Sequence, residues 1–228
     1  MTTATARNRY YRRSRLGETK FRVIVRCFAT DLTATDTASL TGISVRSVNS
    51  IYLRIRRRIA ASCERQCLFN ELPEGRFSDM QAAIFRQAGW RNGSAPTLFG
   101  IHEEAGRIST ELIPNCSALV VSDVVNGRRD LHEVFGHQDW VSRYHGLVDL
   151  ERQRYFRLQW PDAGSTPNLY QATRTEVFWR FAKQRLSRFR GLHRHTQYLH
   201  LMETEYRFNY PRESLYHDLL DMLRSQPL

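Results

Sequence analysis

Apolar residues recur at helical spacing from residue 21 to about 62, and the stretch "TDTASLTGISVRSVNSIYLRIRRRIA" contains a break in that rhythm. Ala38 and Gly42 lie four apart, so a small residue allows two helices to approach and a glycine can take a left-handed turn. Ile43 is expected to be buried, Ser44 to cap the next helix, and Val45, Val48 and Ile51 to continue the apolar face. This is the pattern of a helix-turn-helix. Its second helix would turn Arg46, Ser47, Asn49 and Ser50 outward toward a DNA groove, with Arg54, Arg56, Arg57 and Arg58 available for phosphates. The alternative is a three-helix packing module with no nucleic-acid role.

The pattern changes in the second half. "TLFGIH", the turn "EEAGR" and "ISTELIP" predict a β-hairpin with Gly106 as the turn residue. A helical segment is expected around "SALVVSDVVNG". After it, "HEVFGHQD" reads as a short strand ending at Asp139, "WVSRYHGLV" as a helix and "RQRYFRLQW" as a strand. Helices are expected over about 173–190 and 194–209, with a short one near "ESLYHDLLDMLR". The order is that of an α/β domain. The predicted organisation is a basic flexible arm over residues 1–20, a helix-turn-helix region over 21–70 and an α/β domain over 71–228.

Charge favours an anionic partner. The 228 residues carry 34 Lys+Arg against 23 Asp+Glu, a formal net charge of +11, and the pI is about 10. No apolar run approaches the roughly 18 residues that a spanning helix needs, and no signal-peptide pattern opens the sequence. Nucleic acid therefore fits better than a membrane surface, and the expected location is the cytoplasm. Cys63 and Cys67 form a close pair in "CERQC", but no second pair or histidine cluster completes a zinc site, so reduced thiols are expected.

Against this basic background the acids stand out. In "RTEVFWRFAKQRLSRF", residues 174–189, Glu176, Arg180 and Lys183 share one side of a helix, while Val177, Phe178, Phe181, Leu186 and Phe189 supply much of an apolar face. One reading makes Glu176 an ordinary first-turn glutamate favoured by the helix dipole. The other makes it a metal ligand. Carboxylates converging from a strand end, such as Asp139, and from a helix can hold two magnesium ions about 3.5 to 4 Å apart for phosphodiester chemistry.

The blocks "PTLFGIHEEAGRISTELIPNCS", "HQDWVSRYHGLVDL", "TEVFWRFAKQRLSRFRGL" and "HLMETEYRFNY" together resemble the catalytic domain of DDE transposases of bacterial insertion sequences. The subgroup is the one with a lysine seven residues after the third acid, and the resemblance is collinear over about residues 75–225. It implies a ribonuclease-H-like mixed sheet flanked by helices. It also implies cleavage of transposon ends and joining of the free 3′ hydroxyl to target DNA, with two Mg2+ ions, or Mn2+, as cofactor. Asp139 matches the second acid, Glu176 the third and Lys183 the trailing lysine; Arg180 would lie against DNA beside them. The partners implied are double-stranded DNA, as transposon ends and target, and further copies of the chain in a dimer or larger assembly on DNA.

Similar chains carry a block like "EVDESYFG" on the first strand, where this one reads "GRFSDMQAAIF". An ungapped match on Phe85 puts Gln81 at the first acid, with Asp79 two residues earlier on the same strand face. Asp79 completes a metal-binding trio with Asp139 and Glu176 if the register slips by two; with Gln81 there, the trio is incomplete. The zinc ribbon that many relatives carry is missing. The alternative function is a catalytically degenerate relative that binds DNA as a regulator or structural subunit.

Overall fold

The computed structural model describes residues 8–66, 98–112, 144–149, 154–157, 172–189 and 194–228. Over them the chain is mixed α/β. In chain order the elements are α1 (Glu18–Ala29), α2 (Ala34–Thr41), α3 (Val45–Gln66), β1 (Leu98–Glu104), β2 (Arg107–Leu112), β3 (Gly146–Asp149), β4 (Arg154–Arg157), α4 (Arg174–Leu186), α5 (Arg194–Asn209) and α6 (Leu215–Ser225). They fall into two units, Met1–Glu64 with Asn209–Leu228, and Arg65–Phe208.

The described part of the first unit is helical. α1 buries Phe21, Ile24, Val25 and Phe28 at spacings of three and four. α2 begins at Thr33, whose hydroxyl accepts the Asp36 N–H at 3.1 Å. It ends at Gly42, where φ is 67° and the N–H returns to the Ala38 carbonyl at 2.9 Å. A side chain would be strained at that φ, so glycine ends the helix cleanly. Ser44 then caps α3, its hydroxyl accepting the Ser47 N–H at 3.2 Å. The Tyr52 phenol reaches the Thr37 hydroxyl at 2.7 Å and the Leu32 carbonyl at 3.3 Å, and its ring meets Phe28 edge-on at 4.9 Å. Val48 and Ile51 are buried, as the spacing predicts; Ile43 is half-buried and Val45 is exposed, because α3 enters the core only at Val48.

Two expectations change here. Residues 8–16 are not a loose arm: Tyr10 is buried, and the Asn8 side chain accepts the Tyr10 and Tyr11 N–H groups while donating to the Leu16 carbonyl. The α/β domain also does not run to residue 228. α6 lies against α1 and buries Leu215, Leu219, Leu220 and Leu223, so the last twenty residues belong with the first unit. An amphipathic helix goes where its apolar stripe is covered, whatever its place in the chain.

In the second unit the sheet order is β2-β1-β3-β4, antiparallel at every pairing. β1 and β2 form the expected hairpin. Its two-residue turn, Ala105 and Gly106, has φ of 47° and 74°, the primed geometry that matches the twist of paired strands. The helix expected over "WVSRYHGLV" is not formed at its end, where residues 146–149 are the strand β3, paired on both sides. Two glycines make room for rings in this sheet. A Cβ at Gly100 would come within 2.5 Å of the Tyr144 ring, and one at Gly146 within 2.5 Å of Tyr155. Pairing with two neighbours and ring packing outweigh the local helical spacing.

α4 packs on β1, β2 and β4. α5 is buried at every position from Leu201 to Tyr206, including Glu203, Thr204 and Glu205. Polar groups so placed require partners. The Glu205 carboxylate accepts the Thr110 N–H at 2.8 Å and its hydroxyl at 2.6 Å. Glu203 accepts from Arg185 of α4 at 2.6 Å and from Arg207 at 2.8 Å. On β2, buried Glu111 accepts the Tyr144 hydroxyl at 2.7 Å. The mixed sheet of a ribonuclease-H-like domain is not seen among the described residues.

Candidate functional site

The outer face of α3 is the first candidate. Arg46, Ser47, Asn49 and Ser50 are all exposed in the first two turns, beyond the Ser44 cap. Arg46, Ser50, Arg54 and Arg57 are four, four and three residues apart and so form one stripe, about 16 Å long at 1.5 Å per residue. The four later arginines divide. Arg54 and Arg57 are exposed, Arg54 with its guanidinium 5.6 Å over the Tyr11 ring. Arg56 and Arg58 are half-buried: Arg56 lies over Phe28 and Tyr52, and Arg58 donates to the Pro227 carbonyl at 2.7 Å. The first pair is placed to meet solution ligands; the second ties the helix to its own unit.

The second candidate is the start of α4. Thr173 and Glu176 form a capping box, the Thr173 hydroxyl accepting the Glu176 N–H at 3.3 Å and Glu176 Oε2 accepting the Thr173 N–H at 2.9 Å. Glu176 Oε1 faces Arg157 of β4 at 3.7 Å, and both side chains are about three-quarters covered. Tyr155, two residues before Arg157, shares a 2.9 Å hydrogen bond with Thr175, which shares another with Thr173. Burial pushes the Tyr155 phenol up, hydrogen bonds with Thr175 and Thr173 pull it back, and the Glu176 charge adds to the rise. Arg180 and Lys183 are exposed on the following turns, on the side of α4 that carries Glu176.

Of the expected metal trio only Glu176 can be located; Asp79 and Asp139, like Gln81, lie outside the described residues. Among the described residues no cluster of three His, Cys, Asp or Glu side chains could hold a metal. Glu176 is a carboxylate, the ligand type a hard cation takes, but a metal there would compete with Arg157 for Oε1.

Sequence reasoning missed Arg157, Tyr155 and Thr173. The signals were present: Thr173 stands three before Glu176, the capping-box spacing, and Tyr155 and Arg157 alternate on a strand. It also missed the buried carboxylates of "METEY", because charged residues are rarely fully buried unless paired.

No protein-family model, no curated protein and no solved structure matches the chain. No described helix is long and apolar enough to cross a membrane.

Proposed function

We propose that the chain is a DNA transposase of the DDE kind. On this reading the first unit binds duplex DNA through a helix-turn-helix, and the second is a ribonuclease-H-like domain that cleaves and joins phosphodiesters with divalent metal. The observation that carries most weight is the α3 surface: a capped helix after a left-handed turn, with Arg46, Ser47, Asn49 and Ser50 exposed together. Arginine and asparagine there can read base edges, and Arg54 and Arg57 can meet phosphates. Asp79, Asp139 and Glu176 would hold two Mg2+, or Mn2+, ions that activate a water or 3′ hydroxyl and stabilise the leaving oxygen. Arg180 and Lys183 would contact the backbone alongside, in the cytoplasm of the host cell.

A second reading, a DNA-binding relative without catalysis, is favoured by one observation: the Glu176 carboxylate is already engaged by the cap and by Arg157. Glu176→Gln separates the two readings. Glutamine keeps the capping acceptor while removing the charge, so the helix should survive the change. The parent should join oligonucleotide ends in magnesium and the variant should not, while binding end DNA equally or slightly more tightly. Joining retained by the variant would remove Glu176 from the catalytic assignment. A parent that binds DNA but is inactive with magnesium and manganese would establish the second reading. If the parent is active, Asp79→Asn tests the first acid in the same assay.

A further inference from the structure

The loop over residues 8–16 is closed at its base by buried Asn8, whose side chain bonds to Tyr10, Tyr11 and Leu16. It is held from two further sides. Residues 10 and 12 exchange backbone hydrogen bonds with Leu228 at 2.9 and 3.1 Å, and Tyr10 and Tyr11 both contact the Phe21 ring. The backbone is thereby fixed, even through Arg13, which sits at φ 57° in the left-handed region that disfavours a side chain.

This fixed loop carries four arginines, and the structure sorts them. Arg9 makes a two-pronged pair with Glu18, with Nε at 3.0 Å and Nη2 at 2.9 Å from Oε1. Arg12, Arg13 and Arg15 are exposed and pair with no carboxylate among the described residues. The loop meets α3 at Tyr11, under the Arg54 guanidinium. The loop thus touches the outward stripe of α3 at Tyr11, the residue that precedes Arg12.

We propose that Arg12, Arg13 and Arg15 form a second phosphate-contacting site for duplex DNA, held by the Asn8 loop beside the exposed face of α3. The proposal rests on the reading of α3 as a DNA-binding helix and extends it to a segment whose composition suggests only a loose basic tail. A preordered loop contributes charge without the ordering cost of a flexible arm. Its contacts would be to phosphates and so carry no base preference.

The test compares the full chain with Arg12→Ala/Arg13→Ala/Arg15→Ala and with Arg9→Ala, by fluorescence anisotropy on duplex DNA over a salt series. Each phosphate contact in B-DNA contributes about 0.9 to the slope of log affinity against log salt. The triple variant should lower the slope by roughly 2 to 3 and leave the ratio of specific to non-specific affinity unchanged. Arg9→Ala should leave the slope as it is, because Arg9 is already neutralised by Glu18. An unchanged slope in the triple variant, with the parent binding DNA, overturns the loop site alone. An equal loss per charge in Arg9→Ala overturns it too, since net charge would then explain the effect. A parent that shows no duplex binding at low salt overturns the α3 reading itself. If that parent instead binds phosphatidylserine vesicles through the same arginines, the site belongs to a membrane surface.

Discussion

Glu203→Gln should weaken the second unit far more than its small change in shape suggests. The carboxylate is 1% exposed and accepts Arg185 at 2.6 Å and Arg207 at 2.8 Å, with side-chain exposures of 6% and 8% for the two arginines; His200 Nδ1 lies 3.9 Å from the other oxygen. Glutamine leaves one neutral oxygen facing two buried guanidinium groups. Breaking a buried pair by neutralising one side costs about 3–5 kcal/mol, because the remaining charge stays desolvated. With a urea slope of about 2 kcal/mol per molar, that shifts the midpoint down by about 2 M. All four tryptophans, Trp90, Trp140, Trp160 and Trp179, fall within residues 65–208, so tryptophan emission, excited beyond the tyrosine band, reports on the second unit. Adding Arg185→Met to Glu203→Gln removes one of the two cations that face the neutral amide and should recover part of the loss, a non-additivity on the order of 1 kcal/mol. A Glu203→Gln midpoint within about 0.5 M of the parent would refute the view that this carboxylate clamps α4 to α5.

Three further outcomes are expected. Gly100→Ala places a methyl within 2.5 Å of the fully buried Tyr144 ring and should cost about 1–3 kcal/mol in the same urea experiment; a midpoint equal to the parent's would show that the ring can give way. The Tyr155 phenol is raised by burial, so the folded chain keeps a proton that the unfolded chain releases. Its contribution to stability is complete below pH about 10 and declines as pH rises toward the raised value. Tyr155→Phe should flatten that alkaline decline, and an identical decline in the variant would assign it to other groups. On the transposase reading, light scattering with end DNA at saturating protein should show two DNA ends per assembly, and one chain per end with no paired complex would speak against it.

How much of this was legible from sequence differs by element. The helix over residues 174–186 and the hairpin turn at Gly106 were readable because their signals are local: a cap, an apolar period, a residue able to take positive φ. Strand β3 was not, since four residues ending "RYHGLVD" owe their conformation to partners on both sides and to the ring over Gly146. The 8–16 loop was hidden by composition; its arginines suggest disorder, whereas the anchoring is done by Asn8 and two tyrosines. The placement of α6 depends on contacts nearly two hundred residues away in sequence, which no local pattern encodes. At the candidate site, sequence placed Glu176 and Lys183 on one side of α4, but the ion pair to Arg157 arises only when β4 and α4 meet.

The bond between Glu205 and the Thr110 N–H also bears on self-association. β2 is an outer strand of the described sheet, and an outer strand's unbonded N–H groups are a template on which another copy's strand can dock. Here the Thr110 donor is occupied by a buried carboxylate delivered from a helix, with the threonine hydroxyl bound to the same oxygen. An incoming strand would have to displace a buried charge that also holds the threonine hydroxyl. The same contact that satisfies a core glutamate therefore shields that stretch of edge from runaway strand addition, useful in a chain whose proposed work gathers several copies onto one DNA.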